Sequence, residues 1–104
     1  MDNNYGTIST TIDCINKARE ISNKIIESEL SKCVQISQIE SIYKWKSKIN
    51  NEAEYKIEIK LKNDSSLKSK IVDMIKEHHT YENPEIIFIS IEILSKEYEG
   101  WLGT

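Results

Sequence analysis

An α+β fold, with elements in the order β-α-β-β-α-β and a short C-terminal helix, is the architecture this sequence predicts. Three observations carry it. Over residues 53–61, Ala53, Tyr55, Ile57, Ile59 and Leu61 alternate with Glu54, Lys56, Glu58 and Lys60, as in a strand with one buried and one wet face. Residues 14–30 and 65–79 instead space their apolar side chains three and four apart, the period of amphipathic helices. The only proline is Pro84 and the glycines sit near the ends (Gly6, Gly100, Gly103), so nothing reads as a linker and residues 1–104 form one domain. Two β-α-β halves in this order make an antiparallel four-stranded sheet with both helices on one face. Many functions use that architecture, so it selects none of them.

In chain order, residues 5–12 are the first strand, with Tyr5, Ile8 and Ile12 among β-tolerant serines and threonines. Asp13 is placed to cap the helix that follows, whose buried stripe is Ile15, Ala18, Ile21, Ile25 and Ile26. Residues 33–45 are the second strand. Val34 and Ile36 share one parity and Ile39, Tyr43 and Trp45 the other, a slip that one bulge near Ser37-Gln38 would produce. The polar stretch from Lys46 to Asn51, ending in Asn-Asn, supplies a hairpin turn before the alternating third strand. Asp64-Ser65-Ser66 caps a helix with Leu67, Ile71, Met74, Ile75 and His78 on one stripe. Residues 86–93 carry isoleucines on one face and Ile86 and Phe88 on the other, which reads as a central strand covered on both sides. Tyr98 and Trp101 lie on a last short helix.

The central hairpin is long for one copy of the chain. About 14 residues at roughly 3.3 Å each span ~45 Å. A compact domain of this size has a radius of gyration near 13 Å and is on the order of 34 Å across. Either the bulge bends the hairpin or its tip projects, exposing Ile42, Tyr43, Trp45 and Ile49 and open strand edges. Pairing with neighbouring copies would cover both. The alternative is that Tyr43 and Trp45 are ordinary half-exposed hairpin aromatics.

Composition narrows the function classes. The net charge is −3, whereas nucleic-acid binders that neutralise phosphates are usually basic. No apolar run approaches the ~20 residues of a membrane helix. The start, Met1-Asp2-Asn3-Asn4-Tyr5, lacks the basic-then-apolar pattern of a signal peptide. Two cysteines, Cys14 and Cys33, form neither a disulfide scaffold nor a CxxC site, so a reduced cytoplasmic protein is expected.

Candidate chemistry concentrates in Glu77-His78-His79-Thr80-Tyr81-Glu82, which holds both histidines. Imidazoles with nearby carboxylates suit Zn or Cu. Adjacent helical residues point about 100° apart, however, and histidine at a helix C-terminus also complements the dipole; from spacing alone, helix termination is the favoured reading. Glu54 reads as a solvated charge beside Lys56 or Lys60, and Cys33 as a small buried apolar residue. No GxSxG, glycine-rich phosphate loop or HExxH is present, and no nucleophile has an evident base, so no enzyme activity and no organic cofactor are expected. An acylphosphatase-type enzyme would need a committed arginine, and Arg19, the only one, falls mid-helix.

From about Ile8 to Trp101 the chain resembles the CutA family, the divalent-cation-tolerance proteins. Leu30-Ser31-Lys32-Cys33-Val34 looks like the family's Leu-Ala-Ala-Cys-Val segment, and Ser41 to Ile49 like its Ser-x-Tyr-x-Trp-x-Gly-Lys-Ile hairpin. Glu54 and Ile59-Lys60 match the following strand. His78-His79-Thr80-Tyr81-Glu82-Asn83-Pro84-Glu85-Ile86 looks like His-Pro-Tyr-Glu-x-Pro-Glu, and Tyr98 and Trp101 like the closing Tyr-x-x-Trp. Ser47 stands for the hairpin glycine, Thr80 for the proline after histidine, and Leu61 for a threonine. Thr10 aligns with a cysteine that some bacterial members carry and that is implicated with metal; that role does not transfer to Cys14.

The resemblance implies a ferredoxin-like subunit in a stable homotrimer, its long hairpins pairing between subunits and its clefts lying at their interfaces. Glu54, Lys60 and His78 would line those clefts with Tyr43, Trp45, Tyr81 and Glu82. Glu54, His78 and His79 would be the metal ligands, for weak binding of Cu2+ or Zn2+. The trimeric form is also similar to the PII signalling proteins, which bind small ligands between subunits. The expected function is therefore metal-ion response or signalling through divalent metal or a small ligand, without nucleic acid or membrane. A non-catalytic trimeric scaffold for a protein partner, with incidental metal binding, is the alternative.

Overall fold

A computed structural model describes residues 4–104. Met1 to Asn3, part of the start read above as unlike a signal peptide, lie outside the described residues. The elements are β1 (Tyr5–Ile12), α1 (Ile15–Glu27), β2 (Cys33–Trp45), β3 (Lys48–Lys62), α2 (Ser65–His78), β4 (Ile87–Ile91) and α3 (Lys96–Leu102). The four strands form one antiparallel sheet in the order β2-β3-β1-β4.

One face of the sheet carries the core. Ile8 and Ile12 of β1 and Ile57, Ile59 and Leu61 of β3 meet Ala18, Ile21 and Ile25 of α1 and Ile71 and Ile75 of α2. All are essentially buried, and burying each isoleucine contributes roughly 1.5–3 kcal/mol. Gly6 lets this layer close, because a Cβ there would collide with the Phe88 ring. Thr10 faces the same core, and among the described residues its hydroxyl has no hydrogen-bond partner.

Four local expectations are corrected. The β2–β3 ladder runs without interruption from Cys33↔Lys60 to Trp45↔Lys48, so β2 has no bulge. The parity slip is a change of face: Val34 and Ile36 pair beside Ile59 and Ile57 over the core, while Ile39 and Tyr43 lie on the opposite face. The turn is Lys46-Ser47, at the start of the Lys46 to Asn51 stretch rather than at its Asn-Asn end, with φ of 51° and 65°. Two positive φ values are what a two-residue hairpin with the native twist requires. Cys14 is the N-cap of α1 and makes no side-chain cap bond, so Asp13 is not the cap; Asp64 does cap α2, accepting from the Leu67 amide at 2.8 Å. Finally, β4 is an edge strand rather than a central one, and Ile89 is 56% exposed.

Without a bulge the hairpin projects. The molecule measures 45 × 28 × 22 Å with a radius of gyration of 14.5 Å. Ile42, Tyr43, Trp45 and Ile49 are all exposed near the tip, Ile49 at 80%. The sheet face away from α1 and α2 is covered in part by α3: Tyr98 Oη lies 3.3 Å from Lys60 Nζ, and Tyr5 Oη donates to the Glu99 carbonyl at 3.5 Å.

Candidate functional site

The face switch in β2 creates the site. Where the helices no longer cover the sheet, Ile39, Tyr43 and Trp45 turn to the opposite face and wall a cleft of about 660 Å³. Glu52, Glu54 and Lys56 of β3 and Thr11 of β1 form its floor, and Tyr81, Glu82, Asn83 and Glu85 close it from the α2–β4 connection. Four carboxylates thus face one ammonium group, and Lys56 itself lies 3.8 Å from Glu58.

Glu54 is the anchor. It is only 6% exposed, so the reading of it as a solvated strand charge is corrected. Tyr81 Oη donates to Glu54 Oε2 at 2.6 Å, a short charge-assisted bond. Burial, then the Glu54 bond and charge, push the Tyr81 phenol well above its ordinary range. Tyr43 is also raised, first by desolvation and then by Glu52.

His79 holds Tyr81 in place. The Tyr81 amide donates to His79 Nδ1 at 3.0 Å, so that nitrogen carries no proton. Nε2 lies 2.8 Å from the Thr11 carbonyl and must donate to it. The ring is therefore the neutral Nε2–H tautomer with both nitrogens engaged, tilted against the Tyr81 ring at 4.7 Å. A relay of contacts runs from the end of β1 through His79 and Tyr81 to Glu54.

The other expected site residues lie elsewhere in the chain. His78 sits on the helix layer, its Nδ1 4.0 Å from Glu20 of α1 and its Nε2 3.9 Å from Glu77. Lys60 is held under α3, 3.3 Å from Tyr98 Oη and 4.0 Å from Cys33 Sγ. The Cys33 hydrogen bond raises the Tyr98 phenol, against the pull of Lys60. One copy thus brings together Glu54, Tyr43, Trp45, Tyr81 and Glu82, but not Lys60, His78 or His79, in the cleft. Among the described residues, no group of three or more His, Cys, Asp and Glu is placed to hold a metal ion. Sequence reasoning missed Glu52, Glu85 and Thr11. The signal for Glu52 was available, since it stands two residues from Glu54 and so on the same strand face.

Comparison with known proteins gives a consistent result. Residues 7–104 match the family model described as CutA1 divalent ion tolerance protein. The probable divalent-cation tolerance protein cutA homolog of Encephalitozoon cuniculi is 36% identical over 97 residues, covering 93% of this chain and 83% of that one. The human protein named CutA is 35% identical over 101 residues, and the match covers 93% of this chain but 55% of the human protein. The chain therefore spans about half the length of the mammalian relatives it matches. Among solved structures, the periplasmic divalent cation tolerance protein CutA of Archaeoglobus fulgidus superposes with a TM-score of 0.86 at 30% identity, covering 94% of each chain. CutA1 of Ehrlichia chaffeensis gives 0.85 at 30% identity, covering 98% of this chain and 94% of that one.

Proposed function

The chain belongs to the CutA1 family of divalent ion tolerance proteins, and from that premise we propose that it binds divalent cations weakly, in acidic clefts completed between three copies, as part of a metal-ion response. The observation that carries this reading is Glu54: a carboxylate 6% exposed, in a cleft with three further carboxylates. Such a site favours a cation and repels a small anion, so the cationic ligand is preferred over an anionic one.

Assembly is supported by the hairpin. Unpaired β2 and β4 edges and the exposed apolar tip are liabilities for a lone copy and contacts for a neighbour. Further donors are expected from an adjacent copy, because among the described residues of one copy no three donors are placed to hold an ion and His79 is fully engaged. With oxygen and imidazole donors, Cu2+ or Zn2+ is the expected ion, and water completes its coordination. Both cysteines are free thiols, which suits the cytoplasm. Among the described residues no helix is long and apolar enough to cross a membrane.

Light scattering and titration calorimetry test the two parts separately. Three times 12.1 kDa is the expected mass, and a clean monomer removes the intersubunit cleft. One saturable Cu2+ or Zn2+ site per copy, lost in Glu54→Gln, is the expected binding result. A second reading, a trimeric scaffold whose surface histidines pick up metal incidentally, draws on the same absence of a three-donor group among the described residues. Binding that survives Glu54→Gln and disappears in His78→Ala favours it.

A further inference from the structure

A second group of reactive side chains lies apart from the cation cleft. Cys33, at the start of β2, and Lys60 of β3 are direct cross-strand partners. Lys60 Nζ is 4.0 Å from Cys33 Sγ and 3.3 Å from Tyr98 Oη, which α3 brings over the pair. A thiol, a primary amine and a phenol thus meet on one patch of the sheet. We propose that Cys33 and Lys60 form a peroxide-responsive modification site, in which the oxidised Cys33 sulfur is captured by the Lys60 amine as a covalent sulfur–nitrogen bond.

The placement of the two side chains carries this inference. Ser31 Oγ accepts from the Cys33 amide at 3.1 Å and donates to the Lys60 carbonyl, which ties the two backbones at the base of both side chains. Ser31 is buried, so water competes little for that tie. Among the described residues Lys60 makes no ion pair; its ammonium faces only the Cys33 sulfur and the hydroxyl and ring of Tyr98. No carboxylate holds it back, and its stem is flexible, so rotation about its last bonds closes the gap to sulfur. Cys33 also hydrogen-bonds Tyr98, so all three groups face one another. The thiol is half-buried, which leaves room for a molecule as small as hydrogen peroxide. The chemistry balances. The sulfur attacks the peroxide, the O–O bond breaks, and Cys33 becomes a sulfenic acid as one water leaves. Sulfenic acids condense with nearby nitrogen or thiol groups. The Lys60 nitrogen, its extra proton passed to solvent, attacks the sulfur; the S–O bond breaks, and the hydroxide departs as a second water with an amine proton. Sulfur is oxidised by two electrons and the peroxide is reduced to water. Cys14 does not compete as a resolving thiol within one copy, because it lies at the other end of α1, a helix of 13 residues and about 20 Å.

Mass spectrometry of the full chain tests the pair, in a Cys14→Ser background and with circular dichroism to verify the fold of each variant. Hydrogen peroxide should remove two hydrogen atoms from the mass of the chain. Digestion should then yield one pair of peptides joined through Cys33 and Lys60, and dithiothreitol should part them. Lys60→Arg keeps the positive charge but removes the primary amine. In that variant the joined peptides should disappear, and a 1,3-diketone that traps sulfenic acids should label Cys33 several-fold more than in the parent. Cys33→Ser should abolish both the linkage and the labelling. A parent Cys33 that gains oxygen atoms without losing hydrogens, or that links to a lysine other than Lys60, overturns the proposal. So does an unreacted Cys33, a disulfide between two copies, or equal labelling of Cys33 in the parent and a folded Lys60→Arg variant.

Discussion

Replacing Tyr81 by Phe removes one oxygen from the cleft and tests its central contact. That oxygen lies 2.6 Å from Glu54 Oε2, and Glu54 is 6% exposed. A hydrogen bond to a charged group contributes about 1.5–3 kcal/mol, and the carboxylate left behind is poorly hydrated. Tyr81→Phe should therefore cost about 2–3 kcal/mol in urea denaturation at neutral pH. Glu54→Gln in the same background should add much less than it costs alone, giving a coupling of about 1–2 kcal/mol in a double-mutant cycle. The alkaline limb provides a second readout. The Tyr81 phenol is raised in the folded chain, by burial first and then by Glu54, while the unfolded chain releases this proton near pH 10. Above that value the unfolded state binds fewer protons than the native state, so stability falls as pH rises. The contribution is complete below about pH 10 and is lost progressively above it, by up to about 1.4 kcal/mol per pH unit for one group. Tyr43 and Tyr98 are raised as well and persist in the variant, so the difference in slope between wild type and Tyr81→Phe isolates Tyr81. A loss below about 0.5 kcal/mol with no coupling and no change in alkaline slope would refute the contact.

Three further substitutions probe features outside the cleft. Thr10→Val deletes a hydroxyl that is buried without a partner among the described residues and keeps the shape, so thermal denaturation should show a gain of about 1 kcal/mol; a loss means the hydroxyl has a partner in solution. Ser47→Gly relieves a non-glycine residue held at φ 65°, and should stabilise by about 0.5–1 kcal/mol once glycine's greater unfolded freedom is subtracted. Trp45 is 48% exposed in one copy, so Trp45→Ala should be nearly silent in a monomer but cost roughly 3–5 kcal/mol where neighbours bury the ring. A concentration series of melting curves separates those outcomes.

Much of the fold was legible because its periods are clean. The bounds expected for β1 and β2 are those observed, and the expected stripes supply the buried apolar residues of α1 and α2, although Ile26 of the α1 stripe is exposed and Ser22 is buried instead. What was misread in β2 has a definite cause. A bulge and a change of covered face produce the same parity slip, and only the partner's register, here unbroken through Trp45↔Lys48, tells them apart. Glu54 was misread for a related reason. It shares parity with Lys56, Glu58 and Lys60, which alternation marks as wet, and the Tyr81 that covers it arrives from 27 residues away. His79 looked like a ligand or a helix terminus; its work as a brace between Thr11 and Tyr81 needed the path of the loop. In β4, isoleucines on the outer face implied cover that one copy does not supply.

The strand order also fixes a schedule for folding. The β2–β3 hairpin is local: its rungs propagate outward from Lys46-Ser47, and hairpins of this kind form in about 1–10 μs. β1, though it is made first, lies between β3 and β4 and must wait for segments that end at Lys62 and Ile91. Its docking closes the longest loops in the chain and is the slow, high-contact-order step. Until then Ile8 and Ile12 have no sheet to enter, and the nascent chain carries an unpaired apolar strand while β3 and β4 are still being made. Turn substitutions such as Ser47→Gly should consequently speed hairpin formation without shortening that wait, whereas changes in β1 govern how long the chain stays vulnerable to aggregation.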